Sequence, residues 1–341
     1  MTRRELLAGA AVLAAGASLP ATSHSVAPKS LKRPKALKPG ARIALVAPAS
    51  EGSSPDDIAK AQAFITAQGW QPILMPNAKN KMGYLAGTDQ ERADDLNAAF
   101  RDTSLDGIIC IRGGYGSMRL LPLLNEKMIR RNPKVLMGFS DITALLVGLS
   151  RKCGFVTFHG PNALTSDDAY SMESMLRAIT KAEPMGEILQ PSPLPSEKYE
   201  LKTLVPGKAK GRLVGGNLTL LAHLVGTPWA ADLKDSILFI EDVSEAPYRL
   251  DRMLSHMRLA GAFKQCRGVV VGQFARCDEA DPDSAWKVAE VMQDRLSDLG
   301  IPVVSGWAIG HVRTKMTLPL GCMAELNADV KTLKVLEAAV S

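Results

Sequence analysis

Ser140 stands where an apolar run, Val135 to Met137, gives way to a helical pattern beginning near Asp141. A serine on a strand-to-helix turn has the geometry of an exposed nucleophile. Gly138, two residues earlier, lets the backbone fold tightly and a substrate approach, although Gly-Phe-Ser-Asp-Ile lacks the second glycine of the common G-x-S-x-G form. At a helix start the hydroxyl also faces unpaired backbone N–H groups and the positive end of the dipole, both of which stabilise a developing oxyanion. The plainer reading is a helix cap, because Ser followed by Asp ahead of an apolar helix is a good N-cap.

A serine nucleophile needs a base, and the chain has five histidines. His24 lies in the N-terminal segment, while His223 and His256 fall inside helical apolar patterns, where a structural histidine is the default. His159 and His311 each adjoin a glycine at the end of a β-like run, so both positions can project into a cleft. The third partner is a carboxylate that holds the imidazole in one tautomer. Leu238-Phe239-Ile240 leads into Glu241, but Asp242 and Glu245 compete with it as the cap and dipole partner of a helix opened by Pro247. At this level two histidines and three acids remain open.

The elements around these residues alternate from Arg42 onward. Apolar runs at Ile43–Ala47, Pro72–Met75, Gly107–Ile111, Val135–Met137 and Phe155–Phe158 are interleaved with helical patterns at Asp56–Gln68, Asp89–Phe100 and Asp141–Leu149. Such alternation predicts an α/β fold with a parallel sheet covered on both faces, whose sites lie at the carboxyl ends of the strands. Arg112-Gly113-Gly114-Tyr115-Gly116-Ser117 and Gly138-Phe139-Ser140-Asp141 both fall at that edge. The expected order is an export signal over 1–21, a basic flexible spacer over 22–38 and an N-terminal α/β domain over 39–165. A Pro-rich linker follows over 166–211, and then a β-rich α+β domain of barrel-like character over 212–341. Within the last, Leu213–Ala231 reads as a glycine turn plus a short buried helix, with strands near Ile237–Ile240, Gly268–Phe274 and Pro302–Ser305.

Composition excludes several functions. The net charge of +6 suggests nucleic acid, yet seven of the 41 basic residues and one of the 35 acidic residues lie within 1–38, which leaves the body balanced at 34 of each. A neutral body argues against a nucleic-acid groove. Arg3-Arg4 ahead of a short Ala-rich apolar run resembles a twin-arginine signal, so an exported, periplasmic protein is expected. That run is too short to span a bilayer, and no other stretch serves as a span, so no integral membrane segment is expected after signal removal. Cys110, Cys153, Cys266, Cys277 and Cys322 form no CxxC pair and no zinc spacing; Cys266 and Cys277 could pair in an oxidising compartment, with buried thiols the default. No metal and no cofactor is expected. The glycine loop lacks the Walker lysine and the G-x-G-x-x-G spacing of nucleotide sites.

The segments Ile111–Gly116, Gly138–Thr143, His159-Gly160-Pro161, Gly215-Gly216-Asn217-Leu218, Gly226-Thr227-Pro228-Trp229, Glu241-Asp242 with Pro247–Arg252, and Gly310-His311 occur in an order that resembles the LD-carboxypeptidase family. The resemblance runs from about Arg42 to the end. It implies a Ser140–His311–Glu241 triad with the serine on the first domain and its partners on the second. It also implies an oxyanion hole from the backbone amides of Gly113, Gly114 and Asp141, with Tyr115 and Gly116 shaping its mouth. The activity implied is release of terminal D-alanine from a murein tetrapeptide, through an acyl-enzyme formed at an L,D-amide. Arg112 is the candidate for the terminal carboxylate. Homodimers are common among relatives. The same family includes microcin-immunity peptidases that cleave a peptide–nucleotide conjugate, and a reading of another class is a non-catalytic periplasmic binder with Ser140 as a mere cap.

Overall fold

The computed structural model describes residues 31–341 apart from 53, 166–167 and 197–198. The export signal and most of the spacer therefore lie outside the described residues. In chain order the first half runs β1 (Arg42–Val46), α1 (Pro55–Ala67), β2 (Gln71–Leu74), α2 (Asp89–Arg101), β3 (Gly107–Cys110), α3 (Glu126–Arg131), β4 (Val135–Gly138), α4 (Thr143–Cys153) and β5 (Thr157–His159). β1 to β5 are parallel neighbours in the order β5-β4-β3-β1-β2. Because helices cover both faces, the strands are apolar throughout: every residue of β3 and β4 is buried. The chain leaves β1 for β2 on one side and returns for β3 on the other. The crevice therefore opens between the loops after β1 and β3, where such sheets place their ligands.

The second half contributes α5 (Ala169–Thr180), β6 (Pro184–Glu187), β7 (Lys202–Val205), β8 (Lys208–Asn217), α6 (Leu218–Leu224), β9 (Ser236–Val243), α7 (Pro247–Leu259), β10 (Cys266–Ala275), α8 (Val288–Leu296), β11 (Val303–Ser305), β12 (Leu318–Leu320), β13 (Met323–Asn327) and β14 (Thr332–Ala338). Seven of its strands and β6 form a mixed sheet in the order β6-β14-β13-β8-β9-β10-β11-β7, parallel from β8 to β11 and antiparallel outside that run. The remaining strand, β12, crosses over and pairs antiparallel with β5, so the second half of the chain closes the edge of the first sheet.

Several expectations are corrected. The 166–211 segment is not a bare connection: it carries α5, whose N-cap Asp168 accepts the Ser171 amide, and the two end strands of the second sheet. Its prolines and polar residues suit edge strands and turns, which is why they read as irregular. Residues 31–38 do not behave as a spacer either. Lys32 bridges to Phe155, the Leu37 amide donates to Ile179, and Leu37 is buried in the core. Gly215 and Gly216 end β8 within the sheet instead of forming a turn. Between the glycine loop and β4 the chain holds a 3₁₀ turn over Ser117–Leu123 and then α3. All five cysteines are buried free thiols, Cys266 and Cys277 included.

Candidate active site

The four buried residues of β4 lead the chain to Ser140, the candidate nucleophile. β4 ends at Gly138, Ser140 opens a 3₁₀ turn over Ser140–Ile142, and α4 follows from Thr143. Ser140 has φ 65°, a left-handed conformation that a residue with a Cβ adopts at a cost and that surrounding structure must hold in place. Here the hold comes from below: the Phe139 amide donates to Asn162 Oδ1 at 3.2 Å. Ser140 is thus more than a cap: Phe139 is the N-cap of the turn, and the Ser140 hydroxyl bonds the His311 ring.

His311 reaches it from the loop that leaves β11 and crosses to β12. Its Nε2 lies 2.8 Å from Ser140 Oγ, and its Nδ1 lies 2.8 Å from Glu241 Oε2. Glu241 sits in β9 in register with Asn217 of β8, and it has no exposed surface. Burial opposes its charge, but the charge and hydrogen bond of His311, with His159 and Lys315 behind them, outweigh burial and hold the carboxyl below its ordinary range. A carboxylate on Nδ1 fixes the tautomer that leaves Nε2 free to accept the hydroxyl proton. The approach needs glycine beside it: at Gly310, φ 109°, an added Cβ would fall 2.4 Å from Glu241 Oε2.

The competing residues are placed elsewhere. Asp242 faces away and anchors α6, accepting from Asn217 Nδ2 at 2.8 Å and from the amide and hydroxyl of Thr219 at 2.9 Å each. Glu245 pairs with Arg249 at 3.6 Å, one turn along α7. His223 and His256 are exposed on their helices and not in the core, since each falls on the polar side of its amphipathic pattern. His159 is buried at the end of β5, edge-on to the rings of Phe139 and Phe239 at 6.1 Å and 5.3 Å between centres. Desolvation drives its pKa down to about 4, so it is a neutral wall of the site.

The glycine loop after β3 closes the other side. Gly113 packs so tightly on the nucleophile that a Cβ there would meet Ser140 Cβ at 2.8 Å and the Phe139 carbonyl at 3.2 Å. The Gly113 and Gly114 amides have no acceptor among the described residues, and the Asp141 amide opens its 3₁₀ turn, where no preceding carbonyl accepts it. The Asp141 side chain does something the sequence did not suggest. Its carboxylate accepts the Ser117 amide at 2.8 Å, while the Ser117 hydroxyl donates to the Asp141 carbonyl at 2.5 Å, so the glycine loop is riveted to the nucleophile turn. Burial pushes this carboxyl upward despite the Ser117 and Gly116 donors and nearby Arg92. Arg92 is itself buried and donates to the Pro48 carbonyl at 2.6 Å and the Gly116 carbonyl at 3.0 Å.

Tyr115 is exposed at the rim, its ring edge-on to Tyr84 at 5.3 Å and its amide on Ser50 Oγ at 3.1 Å. Arg112 is also exposed and donates to the Glu51 carbonyl at 3.1 Å, which makes it a brace between the loops after β1 and β3. Among the described residues no His, Cys, Asp and Glu cluster could hold a metal, and no helix is long and apolar enough to cross a membrane.

Comparison with known proteins agrees across the chain. Residues 43–160 match the family model for the LD-carboxypeptidase N-terminal domain, and residues 210–326 match that for the C-terminal domain. A Bacillus subtilis (strain 168) protein named "Probable murein peptide carboxypeptidase" is 36% identical over 311 residues, covering 91% of this chain and 95% of its own. Among solved structures, the microcin C7 self-immunity protein MccF in complex with aspartyl sulfamoyl adenosine superposes with a TM-score of 0.82 at 25% identity, over 91% of this chain and 100% of that one. A muramoyltetrapeptide carboxypeptidase from Oxalobacter formigenes does so with a TM-score of 0.72 at 29% identity, over 86% and 97%.

Proposed function

Because the chain belongs to the LD-carboxypeptidase family, a family of serine-type peptidases, we propose that it removes the terminal D-alanine of murein tetrapeptides by hydrolysing the L,D-amide. The observation that carries this reading is the unbroken relay from Ser140 Oγ through His311 to Glu241, each link 2.8 Å long. His311 Nε2 takes the hydroxyl proton as Oγ attacks the carbonyl carbon of the L-centre, and Glu241 balances the charge that forms on the imidazole. The amides of Gly113, Gly114 and Asp141 receive the oxyanion. His311 then returns the proton to the departing amine, D-alanine leaves, and water attacks the acyl-enzyme with His311 again as base.

The microcin-type reaction would use the same relay on a different leaving group, and MccF's similarity favours keeping it as the second reading. Mass spectrometry of digests separates the two. The wild type is expected to subtract one alanine from a wall tetrapeptide and to leave an aminoacyl sulfamoyl nucleoside intact, with Ser140→Ala inert on both. Faster cleavage of the nucleoside would favour the second reading, and alanine release by Ser140→Ala would remove Ser140 from the chemistry. We further propose that the enzyme acts outside the cytoplasm, on the strength of Arg3-Arg4 and the apolar run behind them. Recovery of the processed protein from the cytoplasm alone would refute that.

A further inference from the structure

Lys315 lies near the relay, and the mechanism leaves it unused. It is only 4% exposed, yet among the described residues its ammonium has neither a hydrogen bond nor an ion pair. A buried cation left so is costly, because the water it gives up is not replaced. The carboxylates that act on it from nearby, Asp168 and Glu241, bond other groups. Asp168 caps α5, accepting the Ser171 amide at 3.1 Å and the Ser171 hydroxyl at 2.5 Å, and Glu241 gives Oε2 to His311 while its Oε1, which has no hydrogen-bond partner among the described residues, forms no ion pair with the ammonium either. The ammonium lies over the Phe139 ring, whose centre is 5.1 Å away. That ring belongs to the residue just before the nucleophile, and its centre is 4.9 Å from that of His311.

The position is also rigid. The Lys315 amide donates to Ser171 Oγ at 2.9 Å, the Met316 amide to the Ala308 carbonyl at 2.8 Å and the Thr317 amide to Ser174 Oγ at 2.8 Å. Backbone is thus fixed on both sides of a side chain that has nothing to hold. Desolvation brings its pKa down to about 8 against the opposing pull of Asp168 from α5 and Glu241 from β9, with His159 of β5 also facing it. An anion arriving beside it would relieve both the lost solvation and the missing partner.

We propose that the Lys315 ammonium anchors the free carboxylate of the last residue of the substrate peptide, setting that residue beside the nucleophile so that only the terminal amide is cut. The inference rests on the peptidase reading above, and it offers a buried carboxylate contact besides exposed Arg112, whose Nη1 donates to the Glu51 carbonyl. A carboxylate one residue beyond the scissile carbonyl lies about 3.8 Å farther along the chain, and the ring that the ammonium overlies belongs to Phe139, the residue just before Ser140.

The experiment measures binding where no turnover confuses it. In the Ser140→Ala protein, a murein tetrapeptide ending in free D-alanine and the same peptide ending in D-alanine amide are titrated by calorimetry. The acid is expected to bind roughly 10- to 100-fold tighter than the amide, the range for one hydrogen bond to a charged group. Adding Lys315→Met should bring the two within about threefold by weakening the acid alone, and Lys315→Arg should restore part of the gap. An unchanged acid-to-amide ratio in the Lys315→Met protein, or an equal loss for both peptides, overturns the anchor. Failure of the peptidase reading looks different: the acid peptide binds in the Lys315-dependent way, but the enzyme with Ser140 intact releases no alanine.

Discussion

At the scale of single residues, the site works by enforced proximity. Glu241 is held charged without any solvent contact, and its purpose is to keep His311 in one orientation. Glu241→Gln is therefore expected to leave the fold and melting temperature close to wild type while lowering kcat roughly 10⁴-fold, the loss seen when a triad acid becomes an amide. A loss below about tenfold in steady-state assays would demote Glu241 to a structural role. Gly113→Ala tests the opposite wall. Its Cβ would press on Ser140 Cβ at 2.8 Å, and displacement of the nucleophile is expected to cost roughly 10²-fold in kcat with little change in KM. Ser140, His311 and Glu241 were legible because each ends an apolar run beside a glycine or a second acid, and their order resembles one family. Lys315 and the carboxylate of Asp141 were not. Nothing in Thr314-Lys315-Met316 distinguishes a buried lysine from an exposed one, and Asp141 reads simply as a helix-start acid.

At the scale of elements, the decisive piece is the irregular loop from β11 to β12, which carries both His311 and Lys315. No periodic pattern governs such a segment, so its course is set by side chains that cap its free backbone groups. Gln273 of β10 donates to the carbonyls of Gly306 at 3.0 Å and Trp307 at 3.1 Å. Gln190 donates to Gly306 at 2.9 Å and accepts the Ala308 amide at 3.0 Å. Gln190 comes from the stretch that sequence reading takes for a linker. That stretch instead supplies a strut for the loop that carries His311, a long-range role that local composition does not encode. Gln190→Ala is expected to cost about 1–2 kcal/mol in denaturant unfolding and to lower kcat several-fold, with faster hydrogen exchange confined to 306–317. Exchange unchanged in that loop would show that Gln190 is no strut.

At the scale of the whole molecule, two sheets share one site because strands cross between them. β12 comes from the second half of the chain yet completes the first sheet, and the Asn217 amide at the end of β8 donates to Thr143 Oγ1 at the start of α4, 3.0 Å away. The alternation of strands and helices made the parallel sheet legible. The crossing strand was not, since pairing between β5 and β12 spans about half the chain and leaves no local mark. The buried lysine also leaves a global signature. Its pKa of about 8 in the folded protein lies below its ordinary 10.5, so between those values the unfolded chain holds the extra proton and stability rises with pH. Across that window the wild type should gain up to about 3 kcal/mol that Lys315→Met does not, read as the difference between their urea unfolding curves at pH 7.5 and 10.5. Parallel curves would place the ammonium in water.

The central claim is that Ser140 is an activated nucleophile, and the measurement that meets it most directly is intact-protein mass spectrometry after brief exposure to a serine-reactive phosphonate, with the adduct mapped by peptide sequencing. A single adduct on Ser140, formed by the wild type, at least 10²-fold slower in His311→Ala and absent in Ser140→Ala, is the predicted result. An adduct on another residue, or equal labelling with and without His311, would contradict it.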